Sequence, residues 1–263
     1  MTRILHLSDL HFGTLEPGIE GKALALAKHL RPDATVISGD MTQRARAEQF
    51  RQAQAFAAKL PQPVLAVPGN HDAPLYNLFQ RLTAPYAGFA RTFGAELEPC
   101  LHIPGAVLQG VNTADPYAWK RGRLRTGSLA RMQQNFAAAP AEYWRVAVLH
   151  HAPVPAADNT PADIADAPRA LRDLGQTGAQ IVLSGHTHMP HWGMAETAQG
   201  MLFVQVGTAI STRRKTEAND IGLLELDPWG VTLRTWLALP GQDFREGPQA
   251  RFRYEGQHWV KEG

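Results

Sequence analysis

The stretch Ile4-Leu5-His6-Leu7-Ser8-Asp9-Leu10-His11 decides how this chain is read. A short apolar run ends abruptly in a carboxylate and an imidazole two residues apart. The same pattern returns along the chain. Thr35–Ser38 runs into Gly39-Asp40, and Val64–Val67 into Gly69-Asn70-His71-Asp72. Val146–Leu149 runs into His150-His151, and Ile181–Ser184 into Gly185-His186-Thr187-His188. Each run has the length and apolar character of a buried strand, as does Val107–Val111.

Between these runs the apolar residues take helical spacing over Lys22–Leu30, Ala45–Leu60, Leu75–Leu82, Leu129–Ala138 and Pro168–Leu174. Gly175 stands where the last of them is expected to stop. From residue 191 the helices give out. His191–Glu196, Met201–Val206, Ile221–Leu226 and Val231–Leu237 read as consecutive antiparallel strands. Alternating β and α units followed by a β-rich half predict an α/β fold, two sheets packed face to face with helices outside. One domain over residues 1–263 fits the length, and the polar tail from Pro240 to Gly263 receives no element.

Composition narrows the function. Hydrophobic residues make up 44% and charged residues 19%, the balance of a soluble globular chain. No apolar run approaches the roughly 18 residues a membrane span needs. The net charge of +2 argues against a nucleic-acid partner. The single Cys100 excludes an internal disulfide. Met1-Thr2-Arg3 leads straight into the first strand, which predicts no signal peptide and a cytoplasmic location.

The chemistry gathers at the C-terminal ends of the strands, where loops of α/β sheets converge into sites. Asp9 and His11 share a face if their strand continues through them, and His186 and His188 repeat that spacing. Asp40 and Asn70 each follow a glycine, which permits a tight turn. His150 closes its strand. Mixed imidazole and carboxylate ligands suit manganese, iron, zinc or cobalt. Seven ligands exceed the four of a structural zinc. They suit two ions sharing a bridging carboxylate, roughly 3.5–4 Å apart.

Asp9-x-His11, Gly39-Asp40, Gly69-Asn70-His71-Asp72, His150 and Gly185-His186-x-His188 together resemble the calcineurin-like metallophosphoesterase superfamily. The wording His6–Gly13, Ser38–Thr42 and Val67–Asp72 is most similar to its bacterial class III cyclic-nucleotide phosphodiesterase branch. The resemblance implies a four-layer α-β-β-α sandwich of two mixed sheets. It implies one metal on Asp9, His11, Asp40 and His188, and another on Asp40, Asn70, His150 and His186, with Asp40 bridging. His71 would be the catalytic histidine. The substrate phosphate is expected beside His11, Asn70, His71 and His188. Met41-Thr42-Gln43 stands where the protein serine/threonine phosphatases carry Asp-Arg-Gly, which disfavours a phosphoprotein phosphatase.

The implied activity is metal-dependent hydrolysis of a small phosphodiester, with 3′,5′-cyclic nucleotides as candidate substrates. Two manganese, iron or zinc ions would lower the pKa of a bound water towards about 7 and so supply a hydroxide nucleophile. His71 would give the leaving alkoxide its proton. Hydrolysis of a nucleotide-sugar or lipid-linked pyrophosphate is the alternative, kept open by the aromatic segment Tyr76–Phe93. A non-catalytic protein-binding scaffold is the alternative of another class. Lys120–Arg125 reads as a solvated loop or as a rim that attracts anions. Selectivity is expected in the loops at 13–20, 73–95, 113–126, 152–166 and 208–220.

Overall fold

The computed structural model describes residues 1–155 and 161–263. Residues 156–160, part of the expected selectivity loop at 152–166, lie outside the described residues. A seven-stranded sheet carries β1 (Thr2–Leu7), β2 (Ala34–Ile37) and β3 (Val64–Ala66) in parallel. It is extended antiparallel beside β1 by β10 (Asn219–Asp227), β11 (Gly230–Ala238), β12 (Arg245–Glu255) and β13 (His258–Lys261). The six-stranded second sheet runs β4 (Cys100–Ile103), β5 (Ala106–Gly110), β6 (Trp144–Val148), β7 (Ile181–Ser184), β9 (Ala198–Gln205) and β8 (His191–Ala195). Its edge strands β4 and β8 are antiparallel and the rest parallel.

The central strands are apolar on both faces because both faces are covered. Alternation sends Ile4, Val36 and Leu65 between the sheets, where they meet Leu108, Val146 and Leu183. Leu5, Leu7 and Ile37 point the other way, onto Ala23 and Ala27 of α1 (Ile19–Leu30) and Phe50 and Ala53 of α2 (Ala47–Ala57). Beyond α2 come two short helices, α3 (Leu78–Thr83) and α4 (Ala87–Phe93), and Phe89 of α4 joins this outer core. On the far side, Val107, Ala147 and Val182 pack against Met132 and Phe136 of α5 (Thr126–Ala138) and Leu174 of α6 (Ala167–Gly175). The result is the expected four-layer α-β-β-α sandwich of two mixed sheets.

Two expectations need correction. The strands after residue 191 are not one antiparallel series. β8 and β9 form a hairpin in the second sheet, where β9 runs parallel to β7, and β10 crosses to the first sheet beside β1. A uniform antiparallel reading misses this because pairing with β7 and β1 is non-local. The tail from Pro240, left unassigned, forms β12 and β13. There Trp259 stacks on Trp144 at 5.2 Å between ring centroids, and each indole N–H donates to a backbone carbonyl, Gln180 and Asp227 respectively, at 2.8 Å. The tail thereby closes one end of the core between the sheets.

Candidate metal centre

The loops that follow β1, β2, β3, β6 and β7 meet in one buried cluster. The strands stop earlier than expected, and the expectation that Asp9 and His11 share a face by continuing β1 is corrected: β1 ends at Leu7. Their side chains converge through left-handed backbone instead. Among the described residues ten non-glycine positions have a positive φ, and five of them are Asp9 (53°), His11 (46°), Asp40 (53°), His186 (72°) and His188 (57°). Such conformations cost on the order of 1 kcal/mol or more each and persist where surrounding structure holds them. Their concentration at one point marks a site whose geometry is set by something other than local backbone preference.

Two glycines make room for it. Gly39 has φ +105°, open to glycine and strained for a side chain. Gly69 has an ordinary extended backbone, but a Cβ there would lie 2.1 Å from Asp40 Oδ1 and 2.4 Å from the Asp40 nitrogen.

Asp9, His11, Asp40 and His188 bring ligand atoms within 4.8 Å of one another. His188 Nε2 lies 3.0 Å from Asp9 Oδ1 and 3.0 Å from His11 Nε2, which is 3.6 Å from Asp40 Oδ2. Asp40 Oδ2 also lies 3.4 Å from His150 Nε2, so this carboxylate stands between two groups of ligands. In the second group His186 Nδ1 is 3.1 Å from Asn70 Oδ1, and the His150 and His186 rings are 5.1 Å apart. All seven residues named from the sequence are therefore brought together.

Their outer atoms are pinned. His150 Nδ1 donates to the Ser38 carbonyl at 2.7 Å and His188 Nδ1 to the Arg213 carbonyl at 2.5 Å, which turns each Nε2 lone pair inward. Asp9 Oδ2 accepts the His186 amide at 2.9 Å and Asp40 Oδ1 the His71 amide at 2.8 Å. The inward atoms Asp9 Oδ1, Asp40 Oδ2 and His150 Nε2 are buried without a hydrogen-bond partner. Two acceptor oxygens and a ring nitrogen left bare at one point are costly unless a cation satisfies them. The donor set fits transition-metal ions.

Electrostatics agree. Burial alone would raise the carboxyls of Asp9 and Asp40. The neighbouring imidazoles, His188 and His11 beside Asp9 and His150, His71 and His11 beside Asp40, hold both well below the usual carboxylate range. Both remain ionised, as metal ligands must. His150 is opposed by burial but pushed up to about 9 by Asp40.

Further residues support the ligands from behind. His151 lies 4.3 Å from the His186 ring and within reach of the second group. Both its nitrogens are taken, by the Thr113 hydroxyl and the Lys120 carbonyl at 3.0 Å each, so it anchors the 113–120 loop and has no lone pair to offer. Asp163 Oδ2 sits 3.1 Å from His186 Nε2, orienting that ring. Buried Asp72 accepts the amides of Met41, Thr42 and Gly69 and the Thr42 hydroxyl, tying the loop of Asp40 to that of Asn70. Thr208 Oγ1 donates to the Asp9 carbonyl at 2.5 Å. His6 on β1 is buried against the Ser38 hydroxyl at 2.8 Å, and burial lowers its pKa to about 3.

His71 stands beside the cluster, its ring 4.9 Å from that of His11. Its Nδ1 donates to the Gln43 carbonyl at 2.9 Å, which leaves Nε2 for other chemistry. A cleft of about 240 Å³ opens next to it, bordered by Asn70, Leu75 and Trp119 and by the cations Arg44 and Lys120. The basic run is thus divided. Lys120 reaches the rim, whereas Arg125 folds back onto the Asn112 and Ala114 carbonyls at 2.7 and 3.0 Å.

The family model for calcineurin-like phosphoesterases matches residues 2–190, which span all seven clustered residues. The chain belongs to the calcineurin-like phosphoesterase family. It is 28% identical over 204 residues to a cAMP/cGMP dual specificity phosphodiesterase of Mycobacterium tuberculosis, covering 70% of this chain and 61% of that protein. It is also 28% identical over 172 residues to a probable cyclic nucleotide phosphodiesterase of a Synechococcus species, covering 61% of this chain and 60% of the relative. The chain thus matches about three fifths of the length of these relatives. Among solved structures it is similar to a purple acid phosphatase of yellow lupin, Lupinus luteus, with a TM-score of 0.68 and 13% identity over 94% of this chain and 53% of that one. No helix of the described residues is long and apolar enough to cross a membrane.

Proposed function

We propose that the chain is a dinuclear-metal phosphodiesterase acting on a small phosphodiester, with 3′,5′-cyclic nucleotides the leading candidates. The observation that carries this reading is the convergence of Asp9 Oδ1, Asp40 Oδ2 and His150 Nε2, all buried and unpartnered. One ion would rest on Asp9, His11, Asp40 and His188, the other on Asp40, Asn70, His150 and His186, with Asp40 shared. Bound there, two such cations neutralise charge on the phosphate and lower the pKa of a water for attack at neutral pH. The cyclic-nucleotide relatives support the substrate class.

The chain's own residues supply the rest. Arg44 and Lys120 draw an anion to the cleft mouth. Phosphate oxygens then lie beside His11, Asn70, His71 and His188. Water adds to phosphorus while the P–O bond to the leaving alcohol breaks. The Nε2 proton of His71 passes to the departing oxygen, and one from the attacking water replaces it. For a 3′,5′-cyclic substrate, departure of the 3′ oxygen leaves a 5′-monophosphate. Chelator-stripped protein assayed on bis(p-nitrophenyl) phosphate and cyclic AMP, before and after manganese is returned, tests the proposal. Loss and recovery of diester hydrolysis is the expected result. Inactivity on every diester in a protein holding two ions would overturn the assignment.

A further inference from the structure

α3 is inverted for a surface helix. Leu78, Phe79 and Leu82 share its outward face, Phe79 being 79% exposed, while Arg81 is turned inward and only 2% exposed. That arginine bridges two segments. Its Nε donates to the Pro116 carbonyl at 2.7 Å and its Nη1 to the Pro74 carbonyl at 3.1 Å, and the guanidinium lies 4.3 Å from the centre of the Trp119 ring. Exposed Tyr76, Tyr117 and Trp119 lie in the two segments that Arg81 ties to α3. Six large apolar or aromatic side chains are thus exposed on α3 and its two tethered segments, and Trp119 borders the cleft beside His71. Isolated exposed hydrophobics need no explanation, but a cluster of this kind marks an interaction surface.

Charge indicates what it meets. Residues 73–95 contain no Asp or Glu, and neither do residues 116–141, although the chain carries 24 acids against 26 Lys and Arg. Lys120 and Arg121 are exposed at the edge of the apolar face. Asp115 and Asp163, which border these segments, are engaged by Arg123 at 3.4 Å and His186 at 3.1 Å. A second copy of this chain fits poorly, because a two-fold contact would set these acid-free cationic segments against themselves. Exposed Phe and Leu between Tyr and Trp, rimmed by Lys and Arg, is the combination that seats in the headgroup region of an anionic lipid layer.

We propose that the face formed by α3 and the 117–121 loop docks on an anionic lipid surface and holds the mouth of the metal centre against it. This goes beyond the phosphodiesterase reading, and its test does not depend on turnover. The metal-loaded full chain would be sedimented with vesicles of phosphatidylcholine alone and with vesicles one third phosphatidylglycerol. Binding to the anionic vesicles alone, weakening as salt is raised, is expected. Lys120→Ala with Arg121→Ala should weaken it roughly 30-fold, about fivefold for each cation. Phe79→Ser with Leu82→Ser should abolish it with an unchanged thermal midpoint, since both side chains are exposed. Failure to sediment with anionic vesicles at low salt would overturn the proposal. So would variants that bind like the parent, or a dimer by light scattering that the Phe79/Leu82 variant splits.

Discussion

Replacing Gly69 by alanine probes how closely the loops are packed around Asp40. Backbone preference offers no objection, because Gly69 has φ −105° and ψ −176°, which alanine adopts freely. The obstacle is space. The new methyl would stand 2.1 Å from Asp40 Oδ1 and 2.4 Å from the Asp40 nitrogen, so the loop must move by more than 1 Å to restore ordinary contact near 3.4 Å. Overpacking of this kind costs about 1–3 kcal/mol. Displaced Oδ1 also gives up the His71 amide, a bond to a charged acceptor worth about 1.5–3 kcal/mol. Together these come to about 3–6 kcal/mol, and at roughly 2–4 °C per kcal/mol for a chain of this size the thermal midpoint should fall by about 6–24 °C. Because Asp40 is the proposed shared ligand, metal content should fall with it. Gly21→Ala is the matched control, since a Cβ there meets nothing within 4 Å inside α1 and should stabilise by about 0.5–1 kcal/mol. Calorimetry of both variants with elemental analysis decides the matter. A Gly69→Ala protein with the parent's midpoint and metal content would refute the packing argument.

Other perturbations test separate parts of the account. His71→Ala should retain both metals and lose 10²–10⁴-fold on diesters with alkoxide leaving groups, but much less on nitrophenyl esters that need no proton; equal losses would remove its acid role. Asp163→Ala frees the His186 ring and should weaken manganese binding by about tenfold in a calorimetric titration, whereas unchanged affinity would show that ring to be held by other contacts. Asp220 is buried, and burial pushes its carboxyl up to about 7, opposed by the Gly207 amide it accepts and aided by the charge of Asp9. Below about pH 4 this group costs nothing, and the cost grows as pH rises to about 7, because the unfolded chain releases the proton first. Asp220→Asn keeps an oxygen for the amide, so in chelated protein its stabilising effect should be about 3 kcal/mol larger at pH 8 than at pH 5. A pH-independent difference in urea midpoints would contradict this.

Much of the site was legible because the strands announce it. An apolar run closed by Asp, His or Gly-Asp identifies a strand and its C-terminal loop at once, and parallel strands put such loops at one edge. The left-handed conformations of Asp9, His11 and His188 were not legible, since those residue types do not demand them; tertiary contacts impose them. Asp163 and Thr208 act on residues far away in sequence, and nothing in their neighbours marks them. β12 and β13 escaped notice because only Ala250, Phe252 and Trp259 of that segment are buried, too sparse an alternation to stand out. The inversion of α3 is visible only once Arg81 is seen to face the Trp119 loop.

The central claim is that Asp40 is shared between two ions. Titration of manganese into chelator-stripped protein, with Asp40→Ala alongside, addresses it most directly. The account predicts two ions per chain in the parent and loss of both strong sites, with loss of diester hydrolysis, in the variant. A parent that binds one ion or none, or an Asp40→Ala protein that still binds two, would contradict it.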